Sequence, residues 1–589
     1  MGLSYTIDSP IRVAQYGISS VVSIIDDEIL EKMSDFYSKK FNFSYEGISK
    51  KVEDYRAKRI TAYLDMMDEI VTNKFEAFKE ELAKNKNTLN EFISMLPSTS
   101  ELKEGLQNLV HNKKEDIANS IRNFVDKHLH PGDIDVNIMT KVDKDNYEKK
   151  NQLPVIHNDA HSALRGFGNS KLSSSLVLSA GMNPRLYSYL EEFDDFYPDA
   201  DGNIKKKIIL KVSDFRSAII QGNFLAKKGI WVSEYRIESG LNCGGHAFAT
   251  DGLLMGPILE EFKQKKSEIQ ASAFPLMKAA LEQKGRPVPA EMLEIKISVQ
   301  GGVGTAEEHE FLLSNYQVDS IGWGSPFLLV PEATSVDKET RELLAKSKEE
   351  DFYISNISPL GVPFNTVKGT SNELVNNAKH EHGKFGSSCP KKLLALSKEF
   401  GPEGICTAST KFQKVKLAEL EAEKPTITED LYQKKFKKII EKACLCVGLV
   451  NSSYLDHDIK IKGEKQGVVV CPGPNLAYFD KEVSLKEMVQ HIYGENNVLP
   501  DDRRSNIFVN ELKLYVDYLS KEIADFTDEL SKSQVKKWQA FKDNLLSGVA
   551  YYEDMFQNTN FFKQNWEKIS NQLKDYQAKI KAIEIPQLG

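Results

Sequence analysis

Between Ile297 and Glu332 the chain reads ISVQGGVGTAEEHEFLLSNYQVDSIGWGSPFLLVPE. One apolar run breaks at Gly301-Gly302. A second, Val318–Ile321, breaks at Gly322-Trp323-Gly324-Ser325. Between them Thr305 precedes Glu308 by three positions, the spacing of a capping box, so a helix starts there. Strand, loop, helix, strand and loop in that order favour parallel strands. Glycine at a strand end lets backbone N–H groups approach an anion. Two such loops beside a helix N-terminus build a phosphate cradle, and in (β/α)₈ barrels strands seven and eight deliver one at this place. A glycine-rich strand end taken singly is an ordinary turn; the ordered pair carries the reading.

The rest of the chain is organised around that segment. Short apolar runs at Ile134–Met139, Ser175–Ser179, Lys207–Val212, Ile230–Tyr235, Ile295–Val299 and Val318–Gly322 read as strands. Helical stretches at Arg185–Phe193, Asp214–Lys228, Gly256–Gln270 and Ala306–Ser314 separate them. An early strand at Ile11–Val13 or Val21–Ile25 belongs to the same sheet. The expected fold is a TIM-type (β/α)₈ barrel, its closure inferred from six or seven candidate strands. Residues 28–130 read as a helical insertion with Ile60, Leu64, Met67 and Ile70 on one stripe. Residues 131–335 hold the barrel, 336–505 a mixed extension rich in Gly, Pro and Cys, and 506–589 long amphipathic helices. There Leu512, Val516, Leu519, Ile523 and Phe526 form the stripe of a packing hairpin or a dimer helix.

A second loop carries candidate chemistry. In WVSEYRIESGLNCGGHAFATDG, from Trp231 to Gly252, a strand runs into Gly244-Gly245-His246. An imidazole at a strand's carboxyl end acts as proton donor, base or electrophile near neutral pH, although a single His also serves as a structural hydrogen-bonder. Cys243 reads as a small buried residue, and Glu234, Tyr235 and Arg236 line the same strand end.

The order CGGH, GGVGTAEE, GWGSPFL resembles the superfamily of FMN-dependent nitronate monooxygenases and flavin-type enoyl-acyl-carrier-protein reductases. The resemblance covers roughly 130–370 and the first strand. It implies a flavin (β/α)₈ barrel in which His246 stands at the flavin ring for catalysis. Gly244, Gly245, Gly301, Gly302, Gly322, Gly324 and Ser325 would hold the cofactor, the last five its phosphate. DVNIMT looks like the early strand with a flavin-contacting Asn137, and KIILKVSDF places Lys211 at a strand end. The superfamily's N-terminal Pro-Met loop is not evident in SPIRVAQYGISS, and the helical insertion and long C-terminal region are foreign to the simple enzymes.

Five of the six cysteines fall between 389 and 471. Cys389, Cys406, Cys444 and Cys446 are candidate ligands of an iron–sulfur cluster or zinc, with Cys471 in a turn. No Cys-x-x-Cys occurs, and unconnected reduced thiols are the other reading. The net charge of −8 on 589 residues argues against a nucleic-acid surface. No apolar stretch is long enough to span a bilayer, so a cytoplasmic protein is expected, with oligomerisation through the added helices. These features point to an FMN oxidoreductase acting on a small or acyl substrate. A flavin-free phosphate-binding lyase or isomerase and a non-enzymatic assembly subunit are the alternatives.

Overall fold

The computed structural model describes residues 4–111, 116–179, 181–243, 251–460, 463–499 and 503–587. Seven strands form one sheet: β1 Ser20–Ser23, β2 Ile134–Ile138, β3 Ser175–Leu178, β4 Lys207–Val212, β5 Val232–Glu238, β6 Lys296–Gln300 and β7 Ser320–Gly322. They lie side by side in chain order, and every neighbouring pair is parallel. Crossovers of one hand between strands in sequential order put every connecting helix on the same face, and such a sheet curls toward a barrel.

Register shows what each face carries. Val136, Leu176, Leu210, Ile237 and Val299 are fully buried on the face that meets the helices Asp159–Gly168, Phe215–Ala226 and Met255–Gln283. The alternate positions Asp135, Asn137, Lys211, Glu234, Arg236, Glu238, Ser298 and Gln300 share the opposite, concave face. A small parallel barrel ordinarily fills its interior with branched apolar residues; here Val177 and Ile209 share the concave face with this polar set.

The eight-stranded closure expected from sequence is corrected to seven strands among the described residues. Ser325–Leu329, which follows β7, is a 3₁₀ turn with Pro326 in its first turn, where the missing N–H costs nothing. The other candidate first strand, Ile11–Val13, lies in the helix Ser9–Val13. The N-terminal segment meets β1 and the chain that follows that turn. Thr6 Oγ1 donates to Val21 O at 2.5 Å, Ser335 N to Tyr5 O at 2.9 Å, and Ser9 Oγ to Ala333 O at 2.5 Å.

The insertion comprises the helices Asp27–Phe41, Tyr55–Lys84, Lys86–Met95, Glu101–His111 and Ile117–His128. Ile60, Leu64, Met67 and Ile70 are buried in the main core, while Phe75, Phe78 and Leu82 of the same helix join a separate cluster with Phe92, Leu106 and Val125. The long helix therefore ties the insertion to the sheet domain. In the extension, Phe352–Ser355 and Phe364–Val367 pair as an antiparallel hairpin. At the C-terminus Ile507–Ala524 packs against Lys532–Asn558 and Trp566–Ala582, and its Leu512, Val516 and Leu519 are buried.

Candidate functional site

Strands β2, β4, β5 and β6 bring Asn137, Lys211, Glu238 and Gln300 to the carboxyl end of the concave face. Glu238 is the hub. Its Oε1 accepts from Lys211 Nζ at 3.2 Å, from Asn242 Nδ2 at 3.1 Å and from Gln300 Nε2. Asn137 donates through Nδ2 to Ser23 Oγ at 3.2 Å, and its Oδ1 is buried with no hydrogen-bond partner. Asn242 Oδ1 is likewise unpartnered. Buried carbonyl oxygens are normally satisfied, so the two mark a place for N–H donors of a ligand.

One layer toward the amino end, Arg236 binds Glu234 Oε1 at 2.7 and 3.0 Å and donates to Ser298 Oγ at 3.2 Å. Asp135 beside them is pushed up to about 7 by burial, with Arg236 opposing the shift and Asp133 and Glu234 adding to it.

The two glycine loops stand side by side at this carboxyl end, since Gln300 pairs with Gly322. Gly301 and Gly302 both have positive φ, +107° and +86°. A Cβ on Gly302 would lie 2.5 Å from Leu241 Cδ1, so the loop packs on the turn after β5. Thr305 Oγ1 accepts from Glu308 N at 3.2 Å, but Glu308 does not complete the capping box. Its carboxylate accepts from Gly304 N at 2.8 Å and Ile507 N at 2.6 Å, and both oxygens pair with Arg504 at 2.6 and 2.9 Å. Arg504 also donates to Gly302 O at 2.8 Å and to Asn475 Oδ1 at 2.7 Å. In the second loop, Gly322 ends β7, Trp323 Nε1 donates to His309 Nδ1 at 3.0 Å, and Ser325 is buried after Gly324. Gly473 approaches so closely that a Cβ there would lie 2.4 Å from both Ser325 Oγ and Leu241 O. The extension thus seats Cys471-Pro472-Gly473 against Ser325 and the turn after β5.

Gly244, Gly245 and His246 lie outside the described residues. Both feet of their loop are described, and the C-terminal helices hold them. Glu511 accepts from Ser239 Oγ at 2.6 Å through Oε1 and from Met255 N at 2.8 Å through Oε2. Gly240 N donates to Tyr515 Oη and Gly256 N to Tyr552 Oη, each at 3.2 Å. Glu511 is pushed up to about 7 by burial, against the hydrogen bonds that favour its charged form.

The expected four-thiolate set is corrected by the structure. Among the described residues no group of three or more His, Cys, Asp and Glu side chains is arranged to hold a metal. Cys444 is the N-cap of the helix Leu445–Asp456 and Cys446 is two positions on; on a helix such positions leave the axis roughly 200° apart. The cysteines instead make two pairs. Cys243 Sγ donates to Cys471 O at 3.3 Å, and the thiols of Cys389 and Cys406 influence each other's protonation. Cys406 lowers Cys389 to about 7, helped by the Lys392 amide and the charges of Lys392 and Lys144, while Cys406 is driven far up.

Sequence reading missed Glu308 as an ion-pair partner and missed Arg504, Glu511, Tyr515 and Tyr552 altogether. Only Glu511 left a trace, as a carboxylate beside Phe508, Leu512 and Tyr515 on an otherwise apolar stripe.

No protein-family model and no curated protein matches the chain. Among solved structures it is similar to the enoyl reductase domain of MlnA from the macrolactin biosynthesis cluster of Bacillus amyloliquefaciens. The identity is 16%, the match covers 67% of this chain and 86% of that one, and the TM-score is 0.34. A FabK mutant from Thermotoga maritima is similar at 10% identity over 69% of this chain and 84% of that one, with a TM-score of 0.30. At such scores the fold rests on the strand order and register given above. Among the described residues no helix is long and apolar enough to cross a membrane.

Proposed function

We propose that the chain is a flavin-dependent oxidoreductase that binds FMN at the carboxyl end of its sheet and acts on a small or acyl substrate with an activated double bond or an acidic C–H. The observation that carries this reading is the buried, unpartnered Asn137 Oδ1 on the same sheet face as the Lys211–Glu238–Gln300 cluster. A planar ring bearing both N–H donors and carbonyl acceptors satisfies such a set. Asn137 would accept from the ring and Lys211 would donate to it, with Glu238 fixing the ammonium. The amides of Gly301, Gly302, Gly324 and Ser325 would take the phosphate. Gly304 is excluded from that set because its N–H already serves Glu308. When bound, the flavin supplies hydride or one-electron chemistry, and the protein orients substrate and excludes water. His246 would hold or move the proton at the substrate, a role resting on its place in the CGGH motif.

The test is an absorbance spectrum of protein purified without oxygen. A flavin spectrum that disappears on denaturation and extraction of the cofactor is expected. Protein that carries no flavin and takes up none from added FMN overturns the reading.

A further inference from the structure

On the FMN reading of this site, we propose that Asn475, His491 and Arg504 are positioning residues that aim the Val303 and Thr305 amides at the phosphate, and so make the site selective for FMN over riboflavin. All three side chains come from the extension, beyond the part of the chain that resembles the flavin barrels.

Three consecutive carbonyls of the glycine loop are each held from outside. Gly302 O accepts from Arg504 Nη2 at 2.8 Å, Val303 O from Asn475 Nδ2 at 3.0 Å and Gly304 O from His491 Nε2 at 2.9 Å. The holders are themselves fixed. Arg504 Nε donates to Asn475 Oδ1 at 2.7 Å, and the guanidinium is paired with Glu308. His491 Nδ1 accepts from Val498 N at 3.4 Å, which leaves Nε2 as the protonated nitrogen, and the ring meets Trp323 and Phe479 edge to face. All three side chains are buried.

Across a trans peptide the C=O and the N–H point in opposite directions, and none of the described peptide bonds is cis. The grip on Gly302 O therefore turns the Val303 N–H away from Arg504, and the grip on Gly304 O turns the Thr305 N–H away from His491. Neither N–H has a hydrogen-bond partner among the described residues. The peptide between them is satisfied inside the protein, with Val303 O on Asn475 and Gly304 N on Glu308. Two donors two residues apart remain for a ligand, and backbone N–H groups favour an anion. Thr305 is also the N-cap of the helix Ala306–Tyr316, whose positive end adds to the attraction.

The loop needs these outside bonds. Gly301 and Gly302 reach positive φ because they lack a Cβ, and the same freedom lets them leave it. Arg504 does not act on the phosphate as a charge, since Glu308 neutralises it. Its effect is on orientation, and only the phosphate feels it: Asn137 and Lys211, which would meet the flavin ring, make no hydrogen bond to any of the three.

The experiment titrates FMN and riboflavin into full-length protein freed of bound flavin, read by quenching of flavin fluorescence. Wild type should bind FMN more tightly. Asn475→Ala and His491→Leu each remove one carbonyl's donor, and should weaken FMN roughly tenfold while riboflavin stays within about twofold. His491→Gln keeps an N–H donor and should restore most of the preference. Equal losses for the two flavins, or no loss for either, overturn the proposal and leave the flavin reading standing. Wild type that binds neither flavin overturns both. A measurement on wild type alone needs no variant to fold. Hydrogen exchange at single-amide resolution should show Val303 and Thr305 slowed by FMN and not by riboflavin, and exchange at both amides unaltered by FMN overturns the proposal.

Discussion

Replacing Glu511 with Gln isolates one buried charge and gives it a sign. Glu511 is 1% exposed, and burial pushes its carboxyl from the ordinary 4.5 up to about 7. An acid whose folded value lies above its unfolded value keeps its proton longer in the folded state. Folding therefore binds a proton between those two values, and stability falls as pH rises through that window. The upward shift corresponds to about 3 kcal/mol, fully expressed above pH 7 and absent below pH 4.5. Solvent screening does not reduce it, because the group is enclosed.

Gln keeps the shape and most of the bonds. Its oxygen can accept from Met255 N, and its amide can donate to the Ser239 hydroxyl, which serves as donor or acceptor. The assay is urea unfolding of wild type and Glu511→Gln at pH steps from 4.5 to 8. Titrations common to both proteins cancel in the difference. The stability of wild type relative to the variant should fall by about 3 kcal/mol across the window and then level. Parallel curves, or a relative gain for wild type as pH rises, would refute the argument. They would mean that the donors at Ser239, Met255, Tyr515 and Tyr552 outweigh desolvation.

Two further substitutions probe the glycine loop and the ion pair behind it. Arg504→Met leaves the Glu308 carboxylate, 1% exposed, without its charge partner, and should cost about 3–5 kcal/mol in denaturant unfolding. Adding Glu308→Gln should recover part of that loss, whereas strictly additive losses would deny that the two groups are coupled. Gly302→Ala places a methyl 2.5 Å from Leu241 at φ +86°. Backbone strain and overpacking together should lower stability by about 3 kcal/mol, and a melting temperature equal to wild type would show that the loop yields freely.

The strands were legible because burial against helices demands unbroken apolar positions, as in Lys207–Val212, where sequence and structure agree on both ends. β5 runs three residues beyond Tyr235 because its polar residues are spaced by two: Glu234, Arg236 and Glu238 all face the concave side. Read one at a time they resemble a loop, and read as an alternation they are a strand with a wet face. The 3₁₀ turn after β7 has a local cause in Pro326. The partners of the glycine loop have none. A capping-box pattern states what Glu308 does to its own helix, and nothing within that segment states that Arg504, 196 positions away, will claim its carboxylate. The same holds for Ser239 and Glu511, 272 positions apart. What sequence does offer is an inconsistency: a carboxylate on an apolar helical stripe must be satisfied or neutral once buried. Both happen at Glu511, which accepts from the feet of the CGGH loop and sits near pH 7 in its affinity for a proton. The C-terminal helices therefore belong to the site they flank, because removing them strands the Ser239 hydroxyl and the Met255 amide at the two ends of that loop.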